Sequence, residues 1–148
     1  MHIESVIEIT APWERAFALA ADIERWGERL PHYRWVRILE RDGRRTVAEM
    51  AARRGRIPVR WRAVQEVWPE ERRILFTHVA GPTRGMAVAW SFVPQDGRVR
   101  VTITHDLRWP PPLHWIAEWV VGRLFIAHIA GQTLRRIKAL AEVGGDTS

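Results

Sequence analysis

The last long stretch of the chain, from Pro110 to Val143, is patterned unlike anything before it. Three consecutive prolines (Pro110, Pro111, Pro112) close a strand-like run, because proline supplies no ladder N–H. Apolar side chains then recur every three or four residues. Ile126, Ala130, Leu134, Ile137 and Ala141 fall on one stripe, and Arg135, Arg136, Lys138 and Glu142 fall largely on the other. The spacing predicts one long amphipathic helix. Such a helix needs a broad apolar surface to lie on, and a curved antiparallel sheet supplies one.

The preceding residues read mostly as strands. Ile3 to Thr10 alternates Ile3, Ser5, Ile7 and Ile9 against His2, Glu4, Val6 and Glu8. Thr10 or Ala11 stands at the cap of a helix, with Pro12 in its first turn and Glu14 at its positive end. Asp22 opens a second short helical turn through Trp26 that ends before Pro31. Six strands follow: Tyr33 to Arg41, Thr46 to Arg54, Ile57 to Trp68, Arg73 to Ala80, Met86 to Val93 and Val99 to Trp109. Turn signals at Asp42-Gly43, Gly55, Pro69-Glu70, Gly81-Pro82 and Asp96-Gly97 keep the loops short. Consecutive strands joined this way pair antiparallel.

A chain of 148 residues accommodates one core, so residues 1–148 are expected to form a single domain. Its 47% apolar and 27% charged content is that of a soluble globular protein. Nine tryptophans against one tyrosine stand out, since large aromatics suit either an ordinary core or the walls of an apolar cavity. The net charge of +6 comes almost wholly from arginine, with Lys138 the only lysine. Only Arg53-Arg54-Gly55-Arg56 with Arg60 and Arg62 forms a marked cluster, read as a solvated outer face, and nucleic acid is not an expected partner. The N-terminus has neither a basic start nor an apolar block, so no signal peptide and a cytoplasmic location are expected. Between Leu113 and Ala130, His114, Glu118, Arg123 and His128 interrupt the apolar run, which argues against a transmembrane segment.

With no cysteine, disulfides, thiolate zinc sites and cysteine nucleophiles are excluded. The histidines His2, His32, His78, His105, His114 and His128 show no close pair at ligand spacing, so no metal is expected. There is also no phosphate loop, dinucleotide fingerprint or serine nucleophile elbow, and no cofactor is expected.

The element order, with Asp22-Ile23-Glu24-Arg25-Trp26 leading to Pro31-His32-Tyr33 and Ile38-Leu39-Glu40-Arg41-Asp42-Gly43, resembles the polyketide cyclase/dehydrase family of the START-like (SRPBCC) superfamily. Gly85-Met86-Ala87-Val88-Ala89-Trp90-Ser91-Phe92, Asp96-Gly97-Arg98-Val99-Arg100-Val101-Thr102 and Thr133-Leu134-Arg135-Arg136-Ile137-Lys138 extend the likeness over essentially the whole chain. The resemblance implies an α+β helix-grip fold: a seven-stranded curved antiparallel sheet wrapped around a long C-terminal helix, with two short helices between strands 1 and 2. It implies a hydrophobic small-molecule ligand (polyketide, lipid or quinone) in an internal cavity. The reaction is less fixed, since the superfamily holds aromatase/cyclases, lipid carriers, coenzyme Q-binding proteins and ligand-gated receptors.

By that resemblance Trp26 and Tyr33 are cavity residues, Tyr33 offering a hydroxyl to an enolate; the alternative is a tyrosine at a strand edge with its tip in solvent. Alternation on the third of the six strands sets Val59, Trp61, Ala63 and Gln65 against Arg60 and Arg62, so Trp61 and Gln65 should point inward. Cyclases with an assigned mechanism carry an inward arginine on this strand, whereas Gln65 or Val67 stands here. Met86 and Trp90 match cavity-lining positions. Val101, Ile103, His105 and Leu107 share one face of the last strand, and His105 is either a general base or a histidine bonded to a neighbour. On the helix, Ile126, Ala130, Thr133 and Ile137 are the candidate ceiling, with Thr133 either facing the ligand or bonded to its own backbone. Trp115 and Trp119 are a candidate gate, with Gly122 as its hinge.

Overall fold

The computed structural model describes residues 1–108 and 125–145. Strand β1 (His2–Ile9) is followed by helix α1 (Trp13–Ala21), a 3-10 turn (Ile23–Arg25) and helix α2 (Trp26–Arg29). Then come β2 (Tyr33–Asp42), β3 (Arg45–Arg54), β4 (Ile57–Trp68), a 3-10 turn (Pro69–Glu71), β5 (Arg73–Ala80), β6 (Ala87–Gln95), β7 (Arg98–Asp106) and helix α3 (Ala127–Gly145). The first half of the expected long helix, with the gate at Trp115 and Trp119 and the hinge at Gly122, lies outside the described residues.

The strands form one antiparallel sheet in the order β1-β7-β6-β5-β4-β3-β2. Every neighbour is also a sequence neighbour except β1, which joins β7. Two-residue turns set three registers: Asp42 pairs with Arg45, Arg54 with Ile57 and Gln95 with Arg98. Gly43 takes φ 58° and Gly97 φ 69°, the left-handed conformation that such turns require and that glycine adopts without strain. Irregularities at Tyr33/Trp35, Ile38/Glu40 and Arg62/Ala63 bend this end of the sheet.

On β4, β5 and β6 the side chains of the concave face are buried and their neighbours along the strand are exposed or half-buried. On β5 Ile74, Phe76 and His78 are buried between exposed or half-buried partners, and on β6 Val88, Trp90 and Phe92 are. Trp61, Ala63 and Gln65 of β4 likewise face in, while Arg60 and Arg62 face out. Helix α3 and the turn that leads into it close the concave side, burying Ile126, Ala130, Leu134, Ile137 and Ala141.

Polar bonds fix the far end of α3. Lys138 Nζ donates to the Glu8 carbonyl (2.7 Å), the Thr10 backbone N–H donates to Glu142 (2.8 Å), and Arg15 donates to the Ala141 carbonyl (3.2 Å). Thr10 therefore ties to α3 rather than capping α1. Pro12 is the N-cap, with no side-chain bond to the helix, so the cap expected at Thr10 or Ala11 moves by one or two residues. Asp22 also makes no side-chain cap; its carboxylate lies 3.9 Å from Arg25 and 3.7 Å from Arg29. No helix among the described residues is long and apolar enough to cross a membrane.

Candidate functional site

Between the sheet and α3 the packing leaves a cavity of about 250 Å³. Trp26 sits at its base. Its ring centroid lies 5.1 Å from that of Tyr33, 6.0 Å from Phe76 and 6.0 Å from Trp90, and its indole Nε1 donates to the Leu19 carbonyl at 3.4 Å. Holding the indole on α2 thus fixes rings on β2, β5 and β6 at once. Tyr33 contacts Trp61 edge-on (5.9 Å), and Trp61 lies parallel to the His78 imidazole (5.6 Å, 3° between planes).

Most of the residues read from the sequence line this space: Trp26, Tyr33, Trp61, Met86, Trp90, Ile103, His105, Ile126, Ala130 and Thr133. Two do not. Gln65 points inward, but its Nε2 donates to the Ala21 carbonyl (3.0 Å), so it joins β4 to the end of α1 and stays out of the lining. Ile137 is buried in the core one turn beyond Thr133. The structure adds Met50, Phe76, His78 and Thr83 to the walls. His78 was open to detection, because Ile74 and Phe76 on the same face of β5 alternate with it. Thr83 had no sequence signal.

The polar groups of the cavity are few and uncharged. Burial pushes the Tyr33 phenol well above its usual range, so it remains a proton donor. Its hydroxyl makes no hydrogen bond among the described residues. Burial, with the nearby His105, lowers the His78 imidazole to about 3, and its Nδ1 bonds Thr83 Oγ1 at 2.7 Å. Burial lowers His105 to about 4 against the opposing pull of Asp106. Its Nδ1 is sealed from solvent and has no partner among the described residues, so it does not bond a neighbour there. Among the described residues the lining includes no Arg, Lys, Asp or Glu.

Thr133 is bonded on both sides. Its Oγ1 donates to the Ile129 carbonyl one turn back (2.8 Å) and accepts from His32 Nε2 (2.7 Å). The single hydroxyl proton is used on Ile129, so the imidazole must carry its proton on Nε2. Burial first, then the His128 and Arg135 side chains, lowers His32 to about 4. Among the described residues, no cluster of three or more His, Cys, Asp or Glu side chains is arranged to hold a metal ion.

A curved sheet gripping a C-terminal helix over an apolar cavity is the START-like helix-grip arrangement. The chain belongs to the polyketide cyclase/dehydrase and lipid transport family, whose model matches residues 9–130. It is 31% identical over 105 residues, 69% of its length, to the granaticin polyketide synthase bifunctional cyclase/dehydratase of Streptomyces violaceoruber, of which it spans 32%. Its fold is similar to that of TTHA0849 from Thermus thermophilus (TM-score 0.84, 23% identity, all of both chains). It is also similar to the Zhui aromatase/cyclase from Streptomyces sp. R1128 (TM-score 0.77, 19% identity, 97% of this chain and 98% of that one).

Proposed function

We propose that the chain is a single ligand-binding domain that holds an extended, largely apolar molecule between its sheet and α3, and acts on it as a polyketide cyclase or dehydratase. The observation that carries this reading is the wall chemistry: aromatic rings enclose the space, and the polar groups are neutral proton donors and acceptors. A poly-β-ketone needs such a site, because dry walls hold its chain in one register while a few groups move protons at its carbonyls. His105, neutral at pH 7 and with no partner for its Nδ1 among the described residues, takes a methylene proton. The carbanion attacks a second carbonyl, a carbon–carbon bond forms, and the resulting alkoxide takes the proton of Tyr33. Loss of water completes a dehydration: the protonated His105 gives its proton to the leaving hydroxyl and the Tyr33 phenolate takes one from the adjacent carbon, which returns both groups to their neutral forms. The granaticin cyclase/dehydratase, similar in sequence, supports the substrate class.

The test is incubation with a polyketide synthase that releases unreduced chains. The wild-type protein should shift the products toward one cyclised species, and Tyr33→Phe and His105→Gln should each slow that shift by about 10²-fold or more. An unchanged product spectrum with wild-type protein contradicts the reading.

A second reading rests on a separate observation. The cavity lining has no cation among the described residues; of Gln65 and Val67, the two candidates for the place of the cyclases' inward arginine, neither is a cation, and Gln65 spends its amide on Ala21. A site without a fixed positive charge stabilises an enolate weakly, which favours a non-catalytic carrier of a lipid, quinone or polyprenoid. Faster transfer of a fluorescent quinone analogue between vesicles would support the carrier, and a rate equal to that without protein would remove it.

A further inference from the structure

On the far side of Thr133 from the cavity, a surface groove lies between the segment after α2 and the middle of α3. It is lined by Pro31, His32, Gln132, Arg135, Arg136 and Ala139. Surface arginines elsewhere are often neutralised: Arg41 by Glu24 (3.2 Å), Arg44 by Glu70 (2.9 Å), Arg62 by Glu49 (3.3 Å) and Arg100 by Glu8 (3.0 Å). Arg135 and Arg136 have no carboxylate partner among the described residues, and the groove lining contains none.

Arg136 is anchored by a hydrogen bond, and Arg135 lies in a space the helix leaves for it. Arg136 Nε donates to the Arg29 carbonyl (2.8 Å), which anchors its plane, and its terminal Nη groups have no partner among the described residues. Arg135 folds back along the helix over Gly131, where a β-carbon would stand 3.3 Å from its Nη1. Glycine lowers helix propensity, and here its missing side chain is the space in which the guanidinium lies. Two cations that line one groove with no carboxylate partner among the described residues repel each other, and Arg135 adds, after burial and His128, to the lowered proton affinity of His32. A bound anion relieves this repulsion.

We infer that this groove binds a phosphate group, and that a phosphate monoester fits it better than free phosphate. Guanidinium forks match phosphate oxygens in pairs, and two of them balance a dianion. The Gln132 amide supplies a further donor. Pro31 and Ala139 give the ester's first carbons an apolar contact that free phosphate does not use. The inference does not depend on what occupies the apolar cavity.

Inorganic phosphate and n-butyl phosphate, titrated separately by calorimetry at constant ionic strength, test it. Both should bind saturably to the wild-type protein, the ester more tightly. Arg135 is exposed and has no hydrogen bond among the described residues, so Arg135→Gln should fold normally and weaken both by about tenfold, the loss of one charge-assisted contact. Gly131→Ala should displace the Arg135 side chain and weaken both by a smaller factor. Arg60→Gln, on the outer face of β4, should change neither. Absence of saturable binding, affinity unchanged in Arg135→Gln, or an equal loss in Arg60→Gln would each overturn the inference. Free phosphate binding more tightly than the ester would overturn the part assigned to Pro31 and Ala139.

Discussion

Thr133 stands between two compartments of opposite chemistry. On one side is the aromatic cavity, where the titratable groups are held neutral; on the other is the groove, lined by Arg135 and Arg136 with no carboxylate partner among the described residues. They use successive turns of α3, Ile129 to Thr133 for the cavity and Gln132 to Ala139 for the groove, and the buried bond from His32 Nε2 to Thr133 Oγ1 lies where they meet. The difference shows how one amphipathic helix handles two solvents. Its apolar stripe supplies Ile126 and Ala130 to the cavity, its polar stripe supplies the arginines to the groove, and Thr133 sits where the stripes meet.

The sharpest way to break the cavity side is Trp26→Ala. The indole touches Tyr33, Phe76 and Trp90 and is 3% exposed, so its removal should cost about 3–5 kcal/mol in urea unfolding. A loss below about 1 kcal/mol would mean that the walls do not depend on it.

Acid tests the neutrality of the cavity. His78 and His105 have folded values of about 3 and 4, below the 6.5 of the unfolded chain. The unfolded state therefore binds more protons in this window. Their neutral burial is fully tolerated above pH 6.5, and stability should fall as the pH drops from 6.5 toward 4. Each histidine contributes a slope of up to about 1.4 kcal/mol per pH unit. Urea midpoints at about pH 7 and pH 5 measure this, and His78→Gln should flatten the slope. Equal midpoints at the two pH values would contradict the assignment of neutral, buried rings.

Thr133→Val probes the boundary with almost no change of shape. It strips His32 of its acceptor, and an orphaned buried donor costs about 1–3 kcal/mol. The loss should appear as a lower unfolding midpoint with the cavity volume unchanged. Full stability would mean that water replaces the hydroxyl.

Much of this arrangement was legible in the sequence, and the parts that were not share a cause. Alternation along β4 pointed Trp61 inward and alternation along β7 put Ile103 and His105 on one face, because a strand sends alternate side chains to opposite faces, while Met86 and Trp90 came from the family resemblance. The stripe on α3 picked out Ile126, Ala130 and Ile137 by the same logic. Alternation reports a face, however, and cannot say which inward residue borders empty space. Gln65 and Ile137 face inward and are used by the fold, Gln65 on a carbonyl 44 residues away. The His32–Thr133 bond joins positions 101 residues apart and has no local signature at all. The groove was hidden for a similar reason. Arg135 and Arg136 read as an ordinary solvated stripe until the segment after α2 is laid against them.

The central claim is that the space under α3 is a binding site rather than a packing defect. Native mass spectrometry of protein purified without detergent, wild type beside Ala130→Phe, tests it most directly. Ala130 lines the cavity from the helix, and a phenyl ring there occupies the space from above. The account predicts that wild-type protein carries an apolar small molecule and that Ala130→Phe, folded and of similar stability, does not. Equal occupancy in the two proteins, or none in either after exposure to a cell lipid extract, would contradict it.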